Sequence, residues 1–248
     1  MCCFTRPVKQ VADTNIFARA SADGRQYLVY SMFLSAKDEL AMILPIPTPK
    51  DSKEDAVKFI SLEKYPEFFK DMLAGFPSRH LDDKSNDKND KDKDKKKEKI
   101  KVVEVGAYEA SFVPSVKDFE RLDEKFKLPK DTWDDLPGYK DYGFAVFKLK
   151  KGEHKVHPMA FEFPRADAKK LFFPTVHIHD GKIHKTATFD HALYAQVTME
   201  DISEWTESPG HPDSFMKTDK CQGIVQKNAH VYQKLLKGKL KNQDTWLA

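Results

Sequence analysis

Apolar residues recur at every second position over much of this chain, and the recurrence is broken by a cluster of prolines and by a block of charge. Successive side chains on a strand point to opposite faces, so alternation of this kind predicts β-structure. Ile16-Phe-Ala-Arg-Ala20 and Gln26-Tyr-Leu-Val-Tyr-Ser-Met-Phe-Leu34 predict two strands joined at the turn sequence Ser21-Ala-Asp-Gly24. Leu40 to Ile46 predicts a third, stopped by Pro45, Pro47 and Pro49, because proline cannot donate to a central ladder. The period then changes. Ala56, Val57, Phe59 and Ile60 are apolar at helical spacing behind a cap at Asp51 or Ser52, and a second helix is predicted around Tyr65 to Leu73, ending at Gly75.

Past the charged block, Ile100 to Val113 reads as a strand, and Ser115 caps a predicted helix to about Phe126 with Val116, Phe119, Leu122 and Phe126 on one face. A loop containing Trp133 and Pro137-Gly138 leads to four predicted strands, Tyr142 to Leu149, His157 to Phe163, Leu171 to His179 and Lys182 to Gln196. A helical turn at Met199 to Glu204 and a loop at Ser208 to Ser214 follow. The last segment, Ala229 to Trp246, reads two ways: Val231, Leu235 and Leu236 suit a helix, while Lys237 to Lys241 alternates. Together these elements predict an α+β fold, mainly antiparallel β-sheet with three or four short helices, rather than a doubly wound parallel sheet. The expected organisation is a β-rich half with helices over residues 1–81, a charged disordered loop over 82–99, and a second β-rich half over 100–248, forming one compact body.

The stretch Thr175-Val-His-Ile-His-Asp-Gly-Lys-Ile-His184 carries the clearest candidate chemistry. Asp180-Gly181 is the pair that a two-residue type I′ turn prefers. A hairpin in that register opposes His177 to His184 and sends His177, His179 and His184 to one face, with Ile178 and Ile183 on the other. Three imidazoles at that spacing predict a divalent-metal site, zinc before iron or copper, with an open position for an activated water and hence hydrolytic chemistry. Asp190 or His191, on the strand that follows, adds a fourth ligand or an orienting carboxylate. The competing readings are a plain surface of half-exposed histidines and a metal-free catalytic or pH-sensing cluster. His154 and His157 join the group if their strand neighbours the hairpin.

Composition narrows the picture further. With 18 Phe, 8 Tyr and 3 Trp in 248 residues, the interior is aromatic-rich. The 42 basic and 39 acidic residues nearly cancel, to a net charge of +3, which gives no general electrostatic reason to bind nucleic acid. Residues 82–99 are almost all Asp, Lys, Asn and Ser, and their interleaved signs cancel locally as well. No apolar run approaches a membrane span of roughly 18–20 residues, and the N-terminus lacks the apolar core of a signal peptide. A cytoplasmic protein is expected, with no nucleic-acid or membrane partner and an unidentified small molecule or protein as its ligand. Cys2, Cys3 and Cys221 make no disulfide framework. Phosphate loops, dinucleotide fingerprints, nucleophile elbows and the His-Glu-x-x-His motif are absent.

Cys3-Phe4, Pro7-Val8, Ile16-Phe17, Leu28 to Leu34 and Leu44-Pro45-Ile46-Pro47 form a pattern that resembles a family of bacterial proteins of unknown function, and Met159-Ala-Phe-Glu-Phe163 and Leu171-Phe-Phe-Pro174 are similar to its second half. The resemblance implies no catalytic residue, and His177, His179 and His184 lie outside the family pattern. Members of that family usually look exported, often with a C-terminal anchor, and neither feature is found in this sequence. The start Met1-Cys2 together with Gly24-Arg25 also resembles amidohydrolases of the choloylglycine type, which expose an N-terminal cysteine as nucleophile. That resemblance implies a catalytic Cys2, although the strands here lack the expected Asn- and Asp-containing motifs. Three functions are therefore carried forward: a metal-dependent hydrolase at the histidines, a non-catalytic binding or structural protein, and an N-terminal-cysteine amidohydrolase.

Overall fold

The computed structural model describes residues 2–76, 103–105, 108–122, 127, 137–150, 152–178, 184–197 and 202–248. The described chain is built of strands: β1 (Cys2–Phe4), β2 (Gln10–Ala20), β3 (Arg25–Ala36), β4 (Leu40–Ile46), β5 (Lys58–Ser61), β6 (Val103–Val105), β7 (Tyr108–Val113), β8 (Gly143–Leu149), β9 (Gly152–Lys155), β10 (Met159–Pro164), β11 (Leu171–Phe173), β12 (His177–Ile178), β13 (Thr186–Gln196), β14 (Thr206–Glu207), β15 (Tyr232–Lys241) and β16 (Thr245–Leu247). One sheet runs β12-β1-β4-β8-β7-β6, a larger one β14-β15-β13-β2-β3-β10-β5 with β9 also on β3, and β11 pairs with β16. Each large sheet draws strands from both sides of the charged block.

Packing explains the sequence pattern. Met42, Leu44, Phe112 and Phe147 of the first sheet meet Leu28, Tyr30, Met32 and Phe161 of the second in the central layer. The far face of the large sheet, with Phe17, Val29, Ala160 and Tyr194, is covered by the helix α1 (Phe68–Ala74) and by Met216 to Val231. The far face of the first sheet, which includes Ile178 of β12, is covered by Phe119, Leu122 and Val176. Strands such as β3 are thus buried on both faces and read as continuous apolar runs. Gly75, just past α1, lies so close to Phe215 that an added Cβ would stand 2.5 Å from that ring.

The expected α+β class with three or four helices is corrected: the fold is mainly β, and α1, seven residues long, is its one α-helix among the described residues. Residues 58–61, read as helical, form β5 instead, because Phe59 and Ile60 find partners in Phe161 and Ala160 of β10. Tertiary pairing outweighs a short helical spacing here. The helix expected from Ser115 is a tight 3-10 turn over Val116–Arg121, and residues 123–126 of that expectation lie outside the described residues, as do the charged loop 82–99 and positions 199–201. Leu171 to His179 is not one strand but two, β11 and β12, in different sheets. Pro45 does sit inside β4, opposite Phe144. The Thr5 N–H donates to the Ala41 carbonyl, so the main-chain groups of odd-numbered β4 residues face β1, and that pairing ends at Ile43. The missing N–H of Pro45 therefore falls where no bond is required.

Candidate functional site

His177 and His191 meet, but as a hydrogen-bonded pair. Their Nε2 atoms are 2.8 Å apart, and both rings pack on Phe189, with centroids 4.5 and 5.1 Å from it. His191 is buried on β13 and His177 half-buried on β12. A bond of this length needs a proton on one nitrogen and a lone pair on the other. Two nitrogens that share a tetrahedral zinc, each about 2.0–2.1 Å from it, stand roughly 3.3 Å apart instead.

The other expected ligands do not join them. His184 is exposed, and His179 with the Asp180-Gly181 turn lies outside the described residues. β12 pairs in parallel with β1, placing His177 beside Cys2 and Ile178 beside Cys3. His177 and His184 are linked through Asn242: its Oδ1 accepts the His177 N–H at 2.8 Å, and its Nδ2 donates to the carbonyls of His177 and His184 at 2.9 and 3.0 Å. Asp190 points away from His191, and its Oδ2 accepts the N–H of Asp13 at 2.8 Å, where β2 is bulged and Asp13 has φ 51°. Burial holds the Asp190 carboxyl above its ordinary value. His157 precedes β10, which is separated from β13 by β2 and β3, about 14 Å at strand spacing. Among the described residues no group of three or more His, Cys, Asp or Glu side chains is placed to hold an ion. The expectation of a metal-binding cluster is corrected among the described residues, where the expected ligands His177 and His191 form an imidazole pair packed on a phenylalanine.

The cysteines offer no exposed nucleophile among the described side chains. Cys3 and Cys221 are buried, and burial pushes the Cys221 thiol up to about 12. Cys2 lies within β1, and its side chain is outside the described residues.

The main unfilled feature is a sheet edge, formed by the segment whose sequence suits helix and strand equally. β15 pairs with β13 from Thr186 opposite Lys241 to Ala195 opposite Tyr232 without a register shift. The Asn242 N–H donates to the Lys185 carbonyl at 3.0 Å. Alternation in an antiparallel ladder then directs the main-chain groups of Lys234, Leu236, Gly238 and Leu240 toward β13, and those of Gln233, Leu235, Lys237, Lys239 and Lys241 outward. At Gln233 the outer side is filled by Thr206 of β14. From Leu235 to Lys241, no strand pairs with the outer side among the described residues. Leu235 is 50% and Leu240 38% exposed along this edge. The sequence signal was the alternation of Lys237, Lys239 and Lys241, which the adjacent pair Leu235-Leu236 masked.

No protein-family model matches the chain, and no curated protein matches it. In overall shape it is similar to baculovirus P35, at 16% identity and a TM-score of 0.47, over 96% of each chain. It is also similar to a mutated baculovirus P35 after caspase cleavage, at 16% identity and a TM-score of 0.46 over 95% of this chain and 99% of that one. A chain of the caspase-8/P35 complex is similar at 15% identity and a TM-score of 0.45, over 95% of each. No helix among the described residues is long and apolar enough to cross a membrane.

Proposed function

We propose that this is a non-catalytic binding protein that takes up a segment of another polypeptide at the outer edge of β15. The observation that carries this reading is the run of main-chain donors and acceptors from Leu235 to Lys241, held in register by β13. A strand added there satisfies those groups at once, and main-chain bonds supply affinity while side chains supply selectivity. The edge is preformed, so no loop has to be ordered before binding. Support also comes from the buried thiols of Cys3 and Cys221 and from the closed imidazole pair, neither of which presents a nucleophile with a base and an orienting group.

Selection from a displayed library of random ten-residue peptides tests the reading, with Lys237→Pro as the counter-screen. The Lys237 N–H points outward, so proline there removes a donor to an incoming strand and leaves the β13 ladder whole. Peptides enriched on the wild-type protein should bind the folded variant at least about tenfold more weakly, the loss of roughly one hydrogen bond. Failure to enrich any peptide, or equal binding to both proteins, overturns strand addition.

A further inference from the structure

The β15 edge carries a second kind of information, in its charge. We infer that the segment it accepts is acidic, an extended strand bearing carboxylates at three alternate positions that fall beside Lys237, Lys239 and Lys241. This inference rests on the strand-addition reading above and goes beyond it in naming the partner's chemistry. Lys237, Lys239 and Lys241 share one face of the strand at a spacing of about 6.8 Å per pair. Across the ladder they stand opposite Asp190, Thr188 and Thr186. Asp190 already accepts the Asp13 N–H, and two of the three lysines face only hydroxyls. All three side chains are exposed. Lys234, by contrast, lies on the other face and is paired with Glu204. The positive stripe therefore begins where β14 ends. An incoming strand places its own alternate side chains directly beside these ammonium groups, and opposite charges across a ladder attract while like charges repel.

The same repulsion argues against a second copy of this chain as the occupant. Edge-to-edge antiparallel pairing of two β15 strands sets lysine beside lysine, so the stripe protects the edge from self-association. Gly238, with φ +83° in mid-strand, adds a local twist that a flat self-pairing does not match.

The test uses the full chain and four fluorescent probes: ten-residue peptides alternating valine with aspartate, with serine or with lysine, and a ten-nucleotide single-stranded oligothymidylate. Binding is read by anisotropy at low and at physiological salt. The aspartate peptide should bind about tenfold more tightly than the serine peptide, about 1.4 kcal/mol, and lose most of that advantage as salt rises. The triple variant Lys237→Glu, Lys239→Glu, Lys241→Glu should reverse the order, favouring the lysine peptide. Lys237→Pro should weaken all peptides. Thermal unfolding of each variant separates loss of binding from loss of fold, and the triple Glu variant leaves the main chain intact where the proline variant fails to fold.

If serine and aspartate peptides bind equally and Lys237→Pro weakens both, the charge inference falls and strand addition stands. Aspartate binding that ignores Lys237→Pro, or oligothymidylate binding as tight as that of the aspartate peptide, reduces the edge to a basic patch and overturns both. No peptide binding at all overturns both as well.

Discussion

The two large sheets each end close to Asn242, and they are finished in opposite ways. At β12 the edge is sealed. The Asn242 carboxamide takes the main-chain N–H and carbonyl of His177 as a paired strand would, and His177 is tied through its ring to His191. At β15, a few residues earlier in the chain, the outward main-chain groups of Leu235, Lys237, Lys239 and Lys241 face no strand among the described residues. One edge is closed by a side chain that imitates a strand, the other is left for a strand to come. An unpaired edge is an aggregation hazard that proteins ordinarily blunt, and here the blunting uses lysines at the positions where a partner must lie. A sealed edge and a charged edge are thus two solutions to one problem, and only the second keeps the edge available.

Substitutions that exchange the two finishes give the sharpest comparison. The largest effect is expected at Leu236, whose main-chain N–H points to β13 and whose side chain packs on the central core. Leu236→Pro should cost at least about 3 kcal/mol in urea unfolding, whereas its neighbour Lys237→Pro should cost less than about 1 kcal/mol, since its N–H points outward. Equal costs at the two positions would show that the alternation along β15 is assigned the wrong way round. Asn242→Ala comes next. It removes three hydrogen bonds, to the N–H of His177 and to the carbonyls of His177 and His184, and should cost about 2–3 kcal/mol. Amide exchange at Ile178 should quicken in the same variant while exchange in β3 is unchanged. Gly238→Ala should cost roughly 1 kcal/mol, from the left-handed φ alone, because nothing lies near the added methyl group.

The smallest effect concerns pH. Burial raises the Asp190 carboxyl in the folded protein, so the native state holds that proton more tightly than the unfolded chain. The resulting contribution to stability is fully present below the unfolded value, about 3.9, and is lost as pH rises through the higher folded value. Asp190→Asn should therefore gain stability relative to wild type across that rise. A difference that runs the other way would mean that hydrogen bonds to the carboxylate, led by that of the Asp13 N–H, outweigh its burial.

Much of the strand content is legible in the sequence because a strand buried on both faces shows as an apolar run wherever it lies, as Gln26 to Leu34 does. What alternation cannot show is which strands become neighbours. The hairpin expected at Asp180-Gly181 lies outside the described residues, and no alternation announces that β12 is drawn to β1, where the Ile178 side chain joins the layer that holds Cys3 and Val176. The histidine pair is hard to read from the sequence for the same reason. His177 and His191 do come together, but their partner Asn242 sits far along the chain and carries no motif. The helix expected around Phe59 failed because a four-residue strand and one helical turn place apolar groups almost alike, and only β10 decides between them. Lys237 to Lys241 alternates visibly, but that such a strand is an edge becomes readable only once its single neighbour is known.

Two of the strand pairings have a consequence for how the chain acquires its shape. β1 is matched in parallel by β12, and β2 by β13, so both strands are flanked by strands that lie more than 150 residues later in the sequence. Such distant pairings demand the closure of very long loops before any ladder bond rewards it. During synthesis the N-terminal ribbon must wait, with apolar faces uncovered, until β13 emerges. The native topology therefore forms late and at once rather than progressively, and the waiting ribbon is where chaperone contact or misassembly would begin.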